Sequence, residues 1–140
     1  MSWLIDTNVI SELAEPRPDP HVRDWLLNQY AEELYLSAIT VAEVRYGILA
    51  MPPGRRADAL SHWWERVVRD DFAGRVLPFD TLVANRWAEI AAKALKAGHK
   101  RAILDSMIGA TASQHGLNVV TRNVEDFELM GLEVFNPWKA

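Results

Sequence analysis

Four acidic residues carry the chemistry available to this sequence: Asp6, Glu43, Asp105 and Asp126. Carboxylates gathered without basic partners repel one another, so a cluster of them is costly unless a cation neutralises it. Hard oxygen donors with no cysteine and no nearby histidine select Mg2+ or Mn2+ over zinc. Such an ion, held by carboxylates, activates water and stabilises the leaving oxygen of a phosphodiester. Each acid also has an ordinary structural use. Asp6 suits a helix N-cap, Thr40-Val41-Ala42-Glu43 matches a capping box, Asp105 can offset a helix macrodipole, and Asp126 can cap the segment 127–130. Singly, the structural uses are the more economical. Jointly, the positions of the four acids relative to the strands favour a metal-dependent phosphoryl-transfer site.

The elements that must position them alternate. Ser2-Trp3-Leu4-Ile5 is a short apolar run that stops at Asp6-Thr7-Asn8, the pattern of a buried strand entering a helix. A brief helical period at Val9, Ile10 and Leu13 is ended by Pro16, Pro18 and Pro20, and 21–30 reads as a second helix. Leu34-Tyr35-Leu36 is the next strand, 40–50 a helix, and 55–72 the longest amphipathic stretch, with Trp63 and Trp64 on its apolar stripe. Val76-Leu77-Pro78-Phe79 reads as an edge strand, because proline is poorly tolerated in a central one. Helices over 80–97 and 103–115 follow, the latter stopped by Gly116, then strands at Val119-Val120 and Val134-Phe135. This alternation predicts one α/β domain over 1–140, a three-layer α/β/α fold around a parallel sheet of four to five strands. Ligands of such sheets sit at the carboxyl ends of the strands, where Asp6, Glu43, Asp105 and Asp126 converge although up to 120 positions separate them.

Composition narrows the partners. The chain has 140 residues, a net charge of −4, 49% hydrophobic residues and no cysteine. That excludes a disordered chain, a disulfide scaffold and a cysteine-ligated zinc site. No apolar run approaches a membrane span, and Trp3-Leu4-Ile5 is too short for a secretory signal, so a cytoplasmic protein with no membrane role is expected. The charge is uneven: net −5 over 1–50, +4 over 51–101 and −3 over 102–140. Arg55, Arg56, Arg69, Lys96, Lys100 and Arg101 are accordingly either a solvated surface or a track for a nucleic-acid backbone. One or two bound divalent ions would bring the net charge to about −2 or 0, easing the approach of a polyanion. The histidines lack metal-ligand spacing, and no glycine-rich phosphate loop or nucleophile elbow is present.

Read with their neighbours, the acids resemble the four signature blocks of PIN-domain proteins. The blocks are Leu4-Ile5-Asp6-Thr7-Asn8-Val9-Ile10-Ser11-Glu12, Ser37-Ala38-Ile39-Thr40-Val41-Ala42-Glu43, Asp105-Ser106-Met107-Ile108-Gly109-Ala110-Thr111-Ala112 and Val120-Thr121-Arg122-Asn123-Val124-Glu125-Asp126-Phe127. The match is closest to VapC-type toxins of the FitB-like branch, which Gly74-Arg75-Val76-Leu77-Pro78-Phe79-Asp80 and Phe135-Asn136-Pro137-Trp138 also fit. The resemblance implies a Mg2+- or Mn2+-dependent endoribonuclease, the toxin half of a type II toxin–antitoxin pair. Carried over by position, Asp6, Glu43 and Asp105 would be metal ligands. The fourth acid falls on Asp126, since Asn123 stands where other members place one. Thr121 and Asn8 would position ligands or phosphate through hydrogen bonds. The resemblance further implies an RNA substrate, a small antitoxin that covers the site, operator DNA bound only through that antitoxin, and a homodimer or higher complex. Ser106 and Gly109 depart from the family's usual DAMIAATA-like helix start.

Two other functions compete with this reading, the first of them weakly. A receiver-like phosphoryl acceptor or phosphohydrolase would need a second acid beside Asp6 or a nucleophilic Asp after Leu36, and the chain has neither. A catalytically inactive PIN-like module, binding a partner or co-repressing its operon, would tolerate loss of the acids.

Overall fold

The computed structural model describes residues 1–100 and 102–140. Five strands form one sheet: β1 (Trp3–Ile5), β2 (Leu34–Ser37), β3 (Val76–Leu77), β4 (Asn118–Val120) and β5 (Val134–Phe135). All pairings are parallel, in the order β3-β2-β1-β4-β5. The strand expected over Val76-Leu77-Pro78-Phe79 does lie at one edge, but β3 ends at Leu77 and Pro78 follows it rather than standing in it. Two connections build the sheet outward from β1 through β2 to β3. The chain then crosses to the opposite side of β1 to lay down β4 and β5. The strand order therefore reverses at β1, and the crevice at its carboxyl end is where a doubly wound sheet takes its ligand.

The helices are α1 (Thr7–Glu12), α2 (Pro20–Leu27), α3 (Ala38–Leu49), α4 (Arg55–Arg66), α5 (Thr81–Lys96), α6 (Ile103–His115) and α7 (Val124–Glu128). Alternation along the strands sends side chains to two separate cores. Ile5, Leu36 and Val120 join Val9, Val22, Val44, Ile48, Trp64 and Phe72 on one face. Leu4 and Val119 join Ile108, Ala112, Leu117 and Phe127 on the other. The three-layer α/β/α arrangement expected from the pattern is the one observed. The stretch expected as one helix over 55–72 is α4 followed by a wider turn at Val67–Asp71, closed by the Phe72 N–H on the Val67 carbonyl at 3.0 Å. Trp64 is core, whereas Trp63 is half-buried and lines a groove of about 550 Å3 with Ile10, Leu13, Leu26 and Phe72.

The two departures in the DAMIAATA-like segment of α6 each have a packing role. Ser106 accepts a hydrogen bond from Trp87 Nε1 at 2.8 Å and donates to the Ile103 carbonyl at 2.6 Å, tying α5 to the first turn of α6. A Cβ at Gly109 would run into the thioether of Met130, so the glycine gives that methionine its seat. Among the described residues, no helix is long and apolar enough to cross a membrane.

Candidate active site

The central strand ends at Ile5 and the chain turns directly into α1, with Asp6 as its N-cap. The Asp6 backbone is still in the sheet, its N–H donating to the Val120 carbonyl at 2.9 Å. Its carboxylate is 2% exposed and both oxygens are held. The Thr7 N–H donates to Oδ1 at 2.8 Å, and the Thr121 hydroxyl donates to Oδ2 at 2.7 Å. Thr121, buried just past β4, accepts in turn from the Asn123 N–H at 2.9 Å and from Asn8 Nδ2 at 3.4 Å. The Arg122 N–H donates to Asn8 Oδ1 at 3.4 Å. Asn8, Thr121 and the backbone of Asn123 thus form a bracket behind Asp6, while the Asn123 residue itself is exposed.

Glu43 sits on α3, half-buried. The capping box expected at Thr40 is not formed. Helix α3 starts three residues earlier, with Ser37 Oγ accepting from the Ile39 N–H at 3.0 Å. Ser37 wins because it is the last residue of β2 and keeps the extended backbone that a cap requires. Glu43 is thereby free of capping duty and accepts a hydrogen bond from the Thr7 hydroxyl at 2.7 Å. That hydroxyl also shares a 2.9 Å hydrogen bond with Thr40, which is fully buried. Thr7 and Thr40 were not foreseen as site residues. The signal was their adjacency to the acids, but their contacts span 33 and 36 positions and leave no local pattern.

Asp105 lies in the first turn of α6, half-buried, and Asp126 in the first turn of α7, exposed. Asp126 is not the cap of 127–130 expected from the pattern, because α7 starts at Val124 and encloses it. Electrostatics link the four acids. Burial pushes the Asp6 carboxyl from 3.8 up to about 6; the Thr121 hydrogen bond opposes this, and the charges of Asp105 and Glu43 add to it. The Asp105 carboxyl is also raised, by burial first and then by Glu43 and Asp126. Among the described residues, no cation forms an ion pair with Asp6, Glu43 or Asp105. No three metal-ligating side chains among them converge into a ready-made cage either. The donor set is nonetheless that of a hard divalent cation: carboxylate oxygens only, mutually repelling, one of them buried at the sheet edge.

The basic residues expected near a polyanion are outward. Arg55, Arg56, Lys96 and Lys100 are exposed, and Arg69 is paired with Asp70 at 3.0 Å. Arg101 lies outside the described residues.

The PIN domain family matches residues 3–131. The chain belongs to the PIN-domain family. Among PIN-domain relatives, VapC ribonuclease Y4jK of Sinorhizobium fredii is 46% identical over 136 residues, covering 97% of each chain. Toxin FitB of Neisseria gonorrhoeae is 44% identical over 135 residues, covering 96% of this chain and 97% of FitB. The fold follows the sequence. The structure of FitAcB from Neisseria gonorrhoeae matches with a TM-score of 0.93 and 43% identity over 99% of each chain. FitAB bound to an IR36 DNA fragment matches with a TM-score of 0.91 and 43% identity over 97% of this chain and 95% of that one. These relatives place the chain in the VapC/FitB toxin branch of the family.

Proposed function

We propose that this PIN-domain protein is a divalent-metal-dependent endoribonuclease, the toxin of a toxin–antitoxin pair. The observation that carries the proposal is Asp6: a buried carboxylate at the end of the central strand, bound at both oxygens and burdened by the charges of Asp105 and Glu43. A buried acid in that position is a standing cost to the fold and is relieved by a cation. Asp6, Glu43 and Asp105 would hold Mg2+ or Mn2+, with Asp126 completing the site directly or through water. When bound, the ion supplies an activated water and charge stabilisation at the scissile phosphate.

The chain's own residues supply orientation. Thr121 and the Thr7 N–H fix the Asp6 carboxylate at both of its oxygens. Asn8 and the Asn123 N–H fix Thr121. Asp105 and Asp126 approach from two helices on the other side. The excess negative charge of Asp6, Glu43, Asp105 and Asp126 would repel RNA, and a divalent ion held by them would offset it.

The partners follow from what the relatives are. FitB is named a toxin, and FitAB has been seen on a DNA fragment. By the same logic this chain acts on RNA in the cytoplasm, as a homodimer or larger assembly, and pairs with an antitoxin that covers the site and contacts operator DNA. The test is cleavage of a mixed structured-RNA pool by the purified, partner-free protein with Mg2+ or Mn2+. Metal-dependent cutting that disappears in Asp6→Asn and Asp105→Asn supports the proposal. Cutting that is indifferent to both substitutions, or no cutting together with no divalent-ion binding, overturns it and leaves the inactive binding module.

A further inference from the structure

Thr7 touches both of the acids that α1 and α3 bring to the sheet edge. Its backbone N–H donates to Asp6 Oδ1 at 2.8 Å, and its hydroxyl lies 2.7 Å from Glu43 Oε1 and 2.9 Å from Thr40 Oγ1. A threonine hydroxyl has one proton to give. Thr7 donates to Glu43, so Thr40 must be the donor to Thr7. The direction of the chain is therefore fixed as Thr40 to Thr7 to Glu43. Thr40 is fully buried and anchored on α3, one turn before Glu43 itself. Successive hydrogen bonds of one direction polarise each other, which strengthens the last one, on the carboxylate.

We infer that Thr7 is a positioning residue for the metal site, holding Glu43 by Oε1 so that Oε2 is presented to the ion. Glutamate is a long side chain with several rotamers, and a half-buried one with no tether spends much of its time pointing elsewhere. The tether also explains why α1 begins with a hydroxyl residue directly after its Asp6 cap. Thr7 bonds Asp6 through its backbone and Glu43 through its side chain, so it sets the separation of two ligands that come from different elements. The inference rests on the metal-site reading of Asp6 and Glu43 and goes beyond it by assigning the relay behind them.

The side-chain and backbone roles separate cleanly by substitution. Thr7→Val keeps the shape and the N–H on Asp6 but removes the hydroxyl, and Thr7→Ser keeps the hydroxyl. The direct readout is Mn2+ binding by the full chain, followed by the electron paramagnetic resonance signal of the free ion. Thr7→Val should weaken Mn2+ binding about tenfold, the scale of one charge-assisted hydrogen bond. Thr7→Ser should stay within about twofold of the parent, and Thr7→Val should add nothing further in a Glu43→Gln background. In RNA cleavage at saturating Mn2+, Thr7→Val should lower kcat and leave KM unchanged. Thr7→Val binding Mn2+ like the parent, Thr7→Ser failing as badly as Thr7→Val, or an undiminished loss in the Glu43→Gln background overturns the role of Thr7 alone. A parent chain that binds no Mn2+ overturns the metal-site reading and this inference with it.

Discussion

The two halves of the acid cluster are built differently. Asp6 and Glu43 come from the strand-edge side, where two threonines reach them, Thr121 on Asp6 and Thr7 on both acids, with Thr40 behind Thr7. Asp105 and Asp126 come from the first turns of α6 and α7, one half-buried and one exposed. The first half is pre-set, since its carboxylates are held before anything binds. In the second half Asp105 stands in the first turn of α6 with no side-chain hydrogen bond among the described residues, so its carboxylate can adjust to a ligand. A site made of one rigid and one adaptable half fits an ion whose coordination is completed by water and a phosphate, which a fully closed cage would exclude. It also fits the absence of a converged three-ligand group among the described residues.

The contrast can be broken at its base. On the proposed metal-site reading Asp6→Asn removes one of the two ligands of the rigid half, and a bound ion would contribute several kcal/mol of charge stabilisation, so RNA cleavage should fall on the order of a thousandfold. Asp105→Asn should do the same, because it faces Asp6 from the adaptable half. Single-turnover rates with a defined RNA decide the point; a tenfold or smaller loss in both would contradict the shared site.

Next in size is the stability of the metal-free protein. The Asp6 carboxyl titrates at 3.8 when unfolded and at about 6 in the fold, so between those values the folded state holds the extra proton. Stability therefore falls as pH rises from about 4 to about 6, and the loss, about 3 kcal/mol, persists above that range. Urea denaturation in a chelator at pH 4.5 and 7.5 samples about 2 kcal/mol of this drop in the parent, and a smaller drop should remain in Asp6→Asn, where Asp105 is still raised. Equal pH dependence in the two would remove the strain assigned to Asp6.

Thr121→Val leaves a buried carboxylate oxygen without its donor. A cost of about 1.5–3 kcal/mol is expected, from the loss of a hydrogen bond to a charged group, measurable in the same denaturation experiment at pH 7.5. The smallest effects belong to the adaptable half. Asp126→Asn should lower cleavage roughly tenfold, one ligand's share when water can substitute. Asn123→Ala should stay within about twofold, since its backbone N–H, and not its side chain, meets Thr121. The reverse ranking would move the fourth position of the site to Asn123.

Much of this arrangement was legible in the residues. The abrupt stop of Trp3-Leu4-Ile5 at Asp6 marked both the central strand and its acid, because a buried strand cannot continue through a charge. Gly116 marked the end of α6 by its left-handed backbone, φ 65°. Pro78 marked an edge strand. What was hidden was the work of the hydroxyls. Ser37 and Thr40 are both acceptable caps three residues apart, and only the end of β2 decides between them. Once Ser37 caps α3, Thr40 turns inward to Thr7, a contact across 33 positions that no periodicity encodes. Asp126 reads as a cap of 127–130 in the sequence, but α7 begins earlier, at Val124, and encloses it.

The most direct test is anomalous diffraction from crystals of the partner-free protein grown or soaked with Mn2+, collected at the manganese edge. A peak at the carboxyl end of β1, bonded by Asp6 and Asp105 with Glu43 still on Thr7, is the expected result. Mn2+ bound elsewhere, or no peak at a concentration that supports RNA cleavage, would contradict it.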